Sequence, residues 1–229
     1  MRKNAFLALV IIALAAIPAM AQGNQLESIL TKMDQTAATF KSAQADFVWD
    51  QYQRVVDETD TQKGKMYVRR QGDKVEMMAD INSPNEQHVL YDGEKVRMYL
   101  PKAAQITEYS AGKNKAEVES FLVLGFGGRG HDLQKSFNVK FAGNEQVDGI
   151  NAAKLELTPK TERGRGIFET IILWIDPARG VSVQQKFIEP ESGNYRFAKY
   201  SNIKLNEKVG DDVFKLKTTG KVTIVSPQE

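Results

Sequence analysis

The sequence predicts an α+β fold that is mainly β. Three observations carry this. One amphipathic helical stripe near the N-terminus is followed by period-two alternation almost to the C-terminus. Gly, Pro and Asn turn residues separate the alternating segments at close intervals. The 229 residues are 41% hydrophobic and 26% charged, the balance of an ordinary globular chain.

The elements follow in order. Arg2 and Lys3 precede an unbroken apolar run, residues 5–17, which Pro18 breaks before Ala19-Met20-Ala21. A short basic start, an apolar stretch and a small-x-small site form a secretory signal peptide, residues 1–21, cleaved after Ala21. An uncleaved membrane anchor is the competing reading, but the run is short of the ~20 apolar residues that cross a bilayer. The remaining domain, residues 22–229, carries 29 cationic and 29 anionic residues, as expected of a neutral exported protein. Residues 25–40 read as a helix with Leu26, Ile29, Leu30, Met33, Ala37 and Phe40 on one stripe.

Residues 45–49, 65–71 and 74–80 read as strands. Residues 89–100 read as a hairpin turning at Asp92-Gly93, a strong local turn signal. Residues 105–109 follow as a strand, and residues 114–124 break the rhythm as a short helix ending in Gly125–Gly130. Strands then resume at 137–141, 153–157, 170–175, 181–188, 195–200, 203–205, 214–216 and 222–225, about eleven in all. No linker, repeat or low-complexity tract divides the chain.

Several chemistries are disfavoured. Cysteine is absent, and His88 and His131 are the only histidines, so no His/Cys metal cluster or thiol nucleophile is available. Balanced charge leaves no nucleic-acid footprint. No nucleophile elbow, zinc-protease motif or P-loop occurs. Gly125-Phe126-Gly127-Gly128-Arg129-Gly130 matches a dinucleotide fingerprint in letters only, since it follows a helix and precedes β structure; it reads as a flexible loop. Asp57-Glu58-Thr59-Asp60 lacks calcium-loop spacing and reads as a solvated connection.

Read in order, several segments resemble the periplasmic outer-membrane lipoprotein carrier family (LolA). They are Ala45-Asp46-Phe47, Gly64-Lys65-Met66-Tyr67-Val68-Arg69-Arg70, the hairpin from Val89 to Tyr99, Gln105-Ile106-Thr107, the strand from Ala153 that ends Thr158-Pro159-Lys160, Ile172-Leu173-Trp174-Ile175-Asp176, and Tyr200-Ser201-Asn202-Ile203 with Asn206. The chain departs from the family pattern at Gln71, where proline is usual, at Met77 and Met78, where an aromatic is usual, and after Lys217. The resemblance implies an unclosed antiparallel β half-barrel of about eleven strands with helices as a lid in its concave face. It implies a periplasmic, non-enzymatic carrier of acylated lipoproteins or lipids, monomeric and without cofactor or metal. Its partners would be an inner-membrane lipoprotein-releasing transporter and an outer-membrane acceptor.

On that reading the alternating stripes supply a groove: Met66, Val68, Val75, Met77, Val96, Met98 and Leu100, faced by helical Leu26, Ile29, Leu30 and Met33. Ordinary core packing is the alternative for each. Phe121, Leu122 and Leu124 would form the lid helix. Arg70 shares parity with Met66 and Val68, so its guanidinium needs acceptors such as backbone carbonyls at a lid-helix end. It matches the family's strand-two arginine, a lid latch. A sensor or scaffold domain of the same fold, or a secreted β-barrel hydrolase, are the competing functions.

Overall fold

The computed structural model describes residues 17–112, 115, 119 and 122–227, with side chains from Gly23 onward. Helix α1 (Ile17–Thr39) is followed by β1 (Ser42–Gln53), β2 (Glu58–Gln71), β3 (Lys74–Ser83), β4 (Gln87–Tyr91), β5 (Lys95–Leu100) and β6 (Gln105–Ser110). Helix α2 (Gly130–Ser136) leads into β7 (Phe137–Val147) and β8 (Ile150–Pro159). Helix α3 (Glu162–Ile167), β9 (Thr170–Asp176), β10 (Val181–Ile188), β11 (Tyr195–Leu205) and β12 (Thr223–Val225) complete the chain.

One 12-stranded sheet, order β12-β6-β5-β4-β3-β2-β1-β11-β10-β9-β8-β7, runs between two free edges and does not close. It is antiparallel except at its end, where β12 pairs parallel with β6. Consecutive strands are neighbours in space except at β6→β7, where the chain crosses from one edge of the sheet to the other, and at β11→β12; β11 joins the two halves by pairing with β1 across nine residue positions such as Phe47↔Tyr200. The fold is thus an open half-barrel with helices in its mouth.

Alternation assigns the two faces. Ala43, Val68, Met77, Tyr91 and Val96 lie in register across β1 to β5 and face inward. Leu155, Leu173 and Gln185 continue that face across β8 to β10. On the convex face Trp174, Val183 and Ala152 make a small cluster with Phe197.

The predicted 214–216 strand is not one. Those residues lie in the irregular connection after β11, where Phe214 is buried against Met78 and Leu90 on the convex face. The Arg69 guanidinium lies 4.3 Å from the Phe214 ring centroid and pairs with Glu76 and Asp211. This packing straps the C-terminal segment under the sheet and delivers β12 to the β6 edge. A single Phe and Leu on one strand-like parity could not reveal that the chain was anchoring itself rather than pairing. The predicted strands 195–200 and 203–205 are one element, β11, bridged by Asn202 at φ +51°. Helices α2 and α3 are short, seven and six residues, and carry no helical stripe that the sequence pattern reveals. Residues Glu58, Thr59 and Asp60 belong to β2 rather than to a long connection.

Candidate functional site

The concave face is lined by two apolar clusters. In one, Ile29, Leu30 and Met33 of α1 pack on Leu155, Leu157, Ile171 and Leu173, with Leu124 and Leu133 above and Leu26 partly buried at the margin. In the other, Met66, Val68, Val75 and Tyr91 pack with Phe40, Val123 and Phe126, and Met77, Val96 and Leu122 are partly buried against them. The helix stripe therefore does not face strands β2 to β5, as expected from the sequence. The sheet is wider than one helix, so α1 covers its β7–β10 half. Residues 122–127 cover the other half. Met98 opposes Val89 on the same face and is half-buried. Leu100 lies further along, beside a mixed polar and apolar cavity of 520 Å³ with Trp49, Gln62 and Arg196. Phe121 lies outside the described residues, and Leu122 and Leu124 divide between the two clusters.

The covering segment is not a loose hinge. Leu124, Gly125, Phe126 and Gly127 are all buried. Phe126, 1% exposed, meets the Tyr200 ring edge-on with centroids 4.8 Å apart. Gly125 and Gly127 have φ of +76° and +81°, which glycine adopts without a Cβ penalty. A Cβ on Gly127 would lie 2.4 Å from Phe40 ring atoms, so glycine is also needed there for space.

Hydrogen bonds hold the plug from both walls. On β2, Arg70 Nη2 donates to the Gly127 carbonyl at 3.1 Å, and its guanidinium lies 5.6 Å from the Phe40 ring. The acceptor lies just beyond the lid-helix end that the sequence points to. On β10, Gln185 Nε2 donates to the Leu124 carbonyl at 2.7 Å and the Ser182 amide donates to the Gly125 carbonyl at 2.8 Å. Tyr200 donates its hydroxyl to Gln185 Oε1 at 3.1 Å, and burial pushes that phenol up, so it remains a donor at neutral pH. Tyr91 donates to Glu119 at 2.9 Å, and burial followed by that carboxylate raises its phenol as well.

At the far end of the plug, His131 Nδ1 lies 2.6 Å from Asp34 and Nε2 lies 3.1 Å from Glu27, tying α2 to α1. A cavity of 480 Å³ lies where α1, α2, the covering segment and the β2–β3 turn meet, lined by Met33, Val75, Val123, Leu133 and Phe137 together with Arg70, Asp73, Arg129 and Asp132.

Gln185, Ser182 and Tyr200 are not disclosed by the sequence pattern. Strict alternation puts Ser182 and Gln185 on opposite faces. A bulge between Ser182 and Gln184 shifts the register, so both turn inward. The inward pair Tyr200 and Gln185 is masked by polar neighbours, Lys199 and Ser201 in one strand and Gln184 and Lys186 in the other.

Among the described residues no group of three or more His, Asp or Glu is placed to hold a metal ion, and no helix is long and apolar enough to cross a membrane. What the arrangement offers is a curved apolar surface under a cover attached by a few hydrogen bonds.

Comparison with known proteins agrees with this geometry. An uncharacterized conserved protein from Thermus thermophilus superposes with a TM-score of 0.57 at 12% identity, over 88% of this chain and 99% of that one. MucB superposes with a TM-score of 0.55 at 12% identity, over 87% of this chain and 66% of MucB. A search of curated protein sequences finds no match. The family model described as outer membrane lipoprotein carrier protein LolA matches residues 38–217. The chain belongs to the LolA family.

Proposed function

We propose that this protein is a periplasmic carrier that shelters the acyl chains of lipoproteins or related lipids on the concave face of its half-barrel. On this reading residues 1–21 are a signal peptide and the protein is not an enzyme. The donor would be an inner-membrane lipoprotein-releasing transporter and the receiver an outer-membrane acceptor. The observation that carries the reading is the 122–127 plug, buried from Val123 to Gly127, which fills an apolar trough yet is tied to it by hydrogen bonds from Arg70, Gln185 and Ser182.

The energetics favour exchange. Each CH₂ taken from water contributes about 0.8 kcal/mol, so ten methylenes are worth about 8 kcal/mol. The hydrogen bonds holding the plug are worth about 0.5–1.5 kcal/mol net each, and up to about 3 for the guanidinium. Opening the cover also exposes Val123, Leu124 and Phe126, worth about 1.5–3 kcal/mol each. A long acyl chain of about 15 methylenes, about 12 kcal/mol, therefore roughly balances the cover, and the cover reclaims the trough when the chain leaves. Met66 and Met77, flexible and polarisable, suit a surface that must fit chains of differing length.

Arg70 is the latch in this scheme. Arg70→Leu removes the guanidinium bond to Gly127 and leaves an apolar side chain on the face. Loading with an acylated lipopeptide and release to acceptor membranes are then measured. The reading expects altered loading or release; a variant that loads and releases like the parent removes the latch. A protein that binds another protein but never an acyl chain would be a sensor or scaffold instead.

A further inference from the structure

Resting on the carrier reading, we infer that β10 selects the kind of bond that joins cargo chains to their head: an acyl ester or amide carbonyl, rather than hydrocarbon alone. Gln185 is 4% exposed and Ser182 is 0% exposed, both on the concave face. The Gln185 amide is fixed in orientation, because Oε1 accepts from the Tyr200 hydroxyl at 3.1 Å and Nε2 must then point at the plug. There it donates to the Leu124 carbonyl at 2.7 Å, while the Ser182 amide donates to the next carbonyl, Gly125, at 2.8 Å. The bulge after Ser182 takes this N–H out of the strand ladder.

Among the described residues no buried side-chain nitrogen or oxygen lacks a partner while the plug is in place. Removing the plug frees Arg70 on β2 and leaves two donors on β10, one residue apart in their acceptors, facing a trough walled by Leu173, Val181 and Tyr200. Water is a poor substitute once an acyl chain fills that space. A bare hydrocarbon would leave both donors unpaired, which is costly in an apolar setting. A diacylglyceryl group carries two ester carbonyls on adjacent glycerol carbons. It can therefore replace the Leu124 and Gly125 carbonyls as its chains replace Phe126 and Leu122. The plug is thus a mimic of the ligand's carbonyls as well as of its grease.

Lipoproteins and glycerophospholipids share this chemistry, so the test uses both. Binding of a dipalmitoyl-glyceryl-cysteinyl peptide and its dialkyl-ether analogue is measured by titration, alongside dipalmitoyl phosphatidylglycerol and its diether. In the parent protein the ester form should bind about tenfold tighter than the ether form. That gap should shrink in Gln185→Leu and in Tyr200→Phe, the second of which keeps the amide but frees its orientation. Equal binding of ester and ether by the parent overturns the inference and leaves the carrier reading standing. Failure of all four lipids to bind overturns the carrier reading itself. Binding confined to the peptide pair or to the phospholipid pair identifies the source, and the ester–ether gap within that pair decides.

Discussion

Substituting Gly127 by alanine tests whether the plug is a separable cover or part of the core. The new Cβ would sit 2.4 Å from Cγ and Cδ1 and 2.7 Å from Cδ2 of Phe40. Phe40 is 6% exposed and lies among Met66, Val68 and Phe126, so its ring has little room to retreat. Left-handed backbone at φ +81° costs alanine about 1 kcal/mol. Overpacking adds about 1–3 kcal/mol. Together these penalise the closed plug by about 2–4 kcal/mol, a shift of about 30-fold to several hundredfold in its opening equilibrium. None of that cost falls on β8 or β9.

Amide hydrogen exchange reads both regions at once. Residues 122–128 should exchange at least about 30-fold faster in Gly127→Ala. Amides of Leu155, Leu157 and Leu173 should keep parental protection. Equal loss of protection in plug and core would show that the cover does not open independently. Unchanged exchange everywhere would refute the steric argument.

Other predictions follow from single contacts. Leu157→Ala, at 0% exposure beneath α1, should lower unfolding free energy by about 2–5 kcal/mol in urea titration; a smaller loss would mean the trough floor is not packed as described. Phe214→Ala should cost about 3–5 kcal/mol and release protection in β12, because the ring is buried under Arg69 and anchors the strap; a β12 still fully protected would contradict that. His131 is raised above the usual imidazole range by its hydrogen bond to Asp34, with Glu27 adding and burial opposing. A raised folded-state value means its contribution is complete below about pH 6.5 and is lost as pH rises through the folded value. The urea midpoint of the parent should therefore fall between neutral and mildly alkaline pH relative to His131→Gln, and parallel pH profiles would exclude the α1–α2 tie. Burial alone would raise Asp34, but hydrogen bonds from His131 outweigh it and lower it. Its contribution is accordingly present above its unfolded value and lost as pH falls through the folded one.

What the sequence discloses is what local periodicity encodes. The inward stripes of β2 and β3 are legible because Met66, Val68, Val75 and Met77 alternate without interruption. The Asp92-Gly93 hairpin is legible because its turn needs glycine, here at φ +93°. The parity of Arg70 is legible for the same reason, and its acceptor is a carbonyl of the covering segment. Three features escape. The bulge in β10 defeats alternation, hiding Ser182 and Gln185. The burial of residues 124–127 is a tertiary fact, and a glycine-rich run reads as flexible when only its local freedom is visible. The division of labour between α1 and the plug depends on sheet width and curvature, which no window of residues contains.

A carrier of this design must let an acyl chain occupy the space that residues 122–127 fill at rest. Photo-crosslinking with a lipopeptide bearing a diazirine in its acyl chain tests this directly. The predicted adducts fall on concave residues such as Met66, Val68, Met77 and Val96 and on the displaced face of Phe126. Adducts confined to convex residues such as Ile150, Ile172 and Phe197 would contradict it.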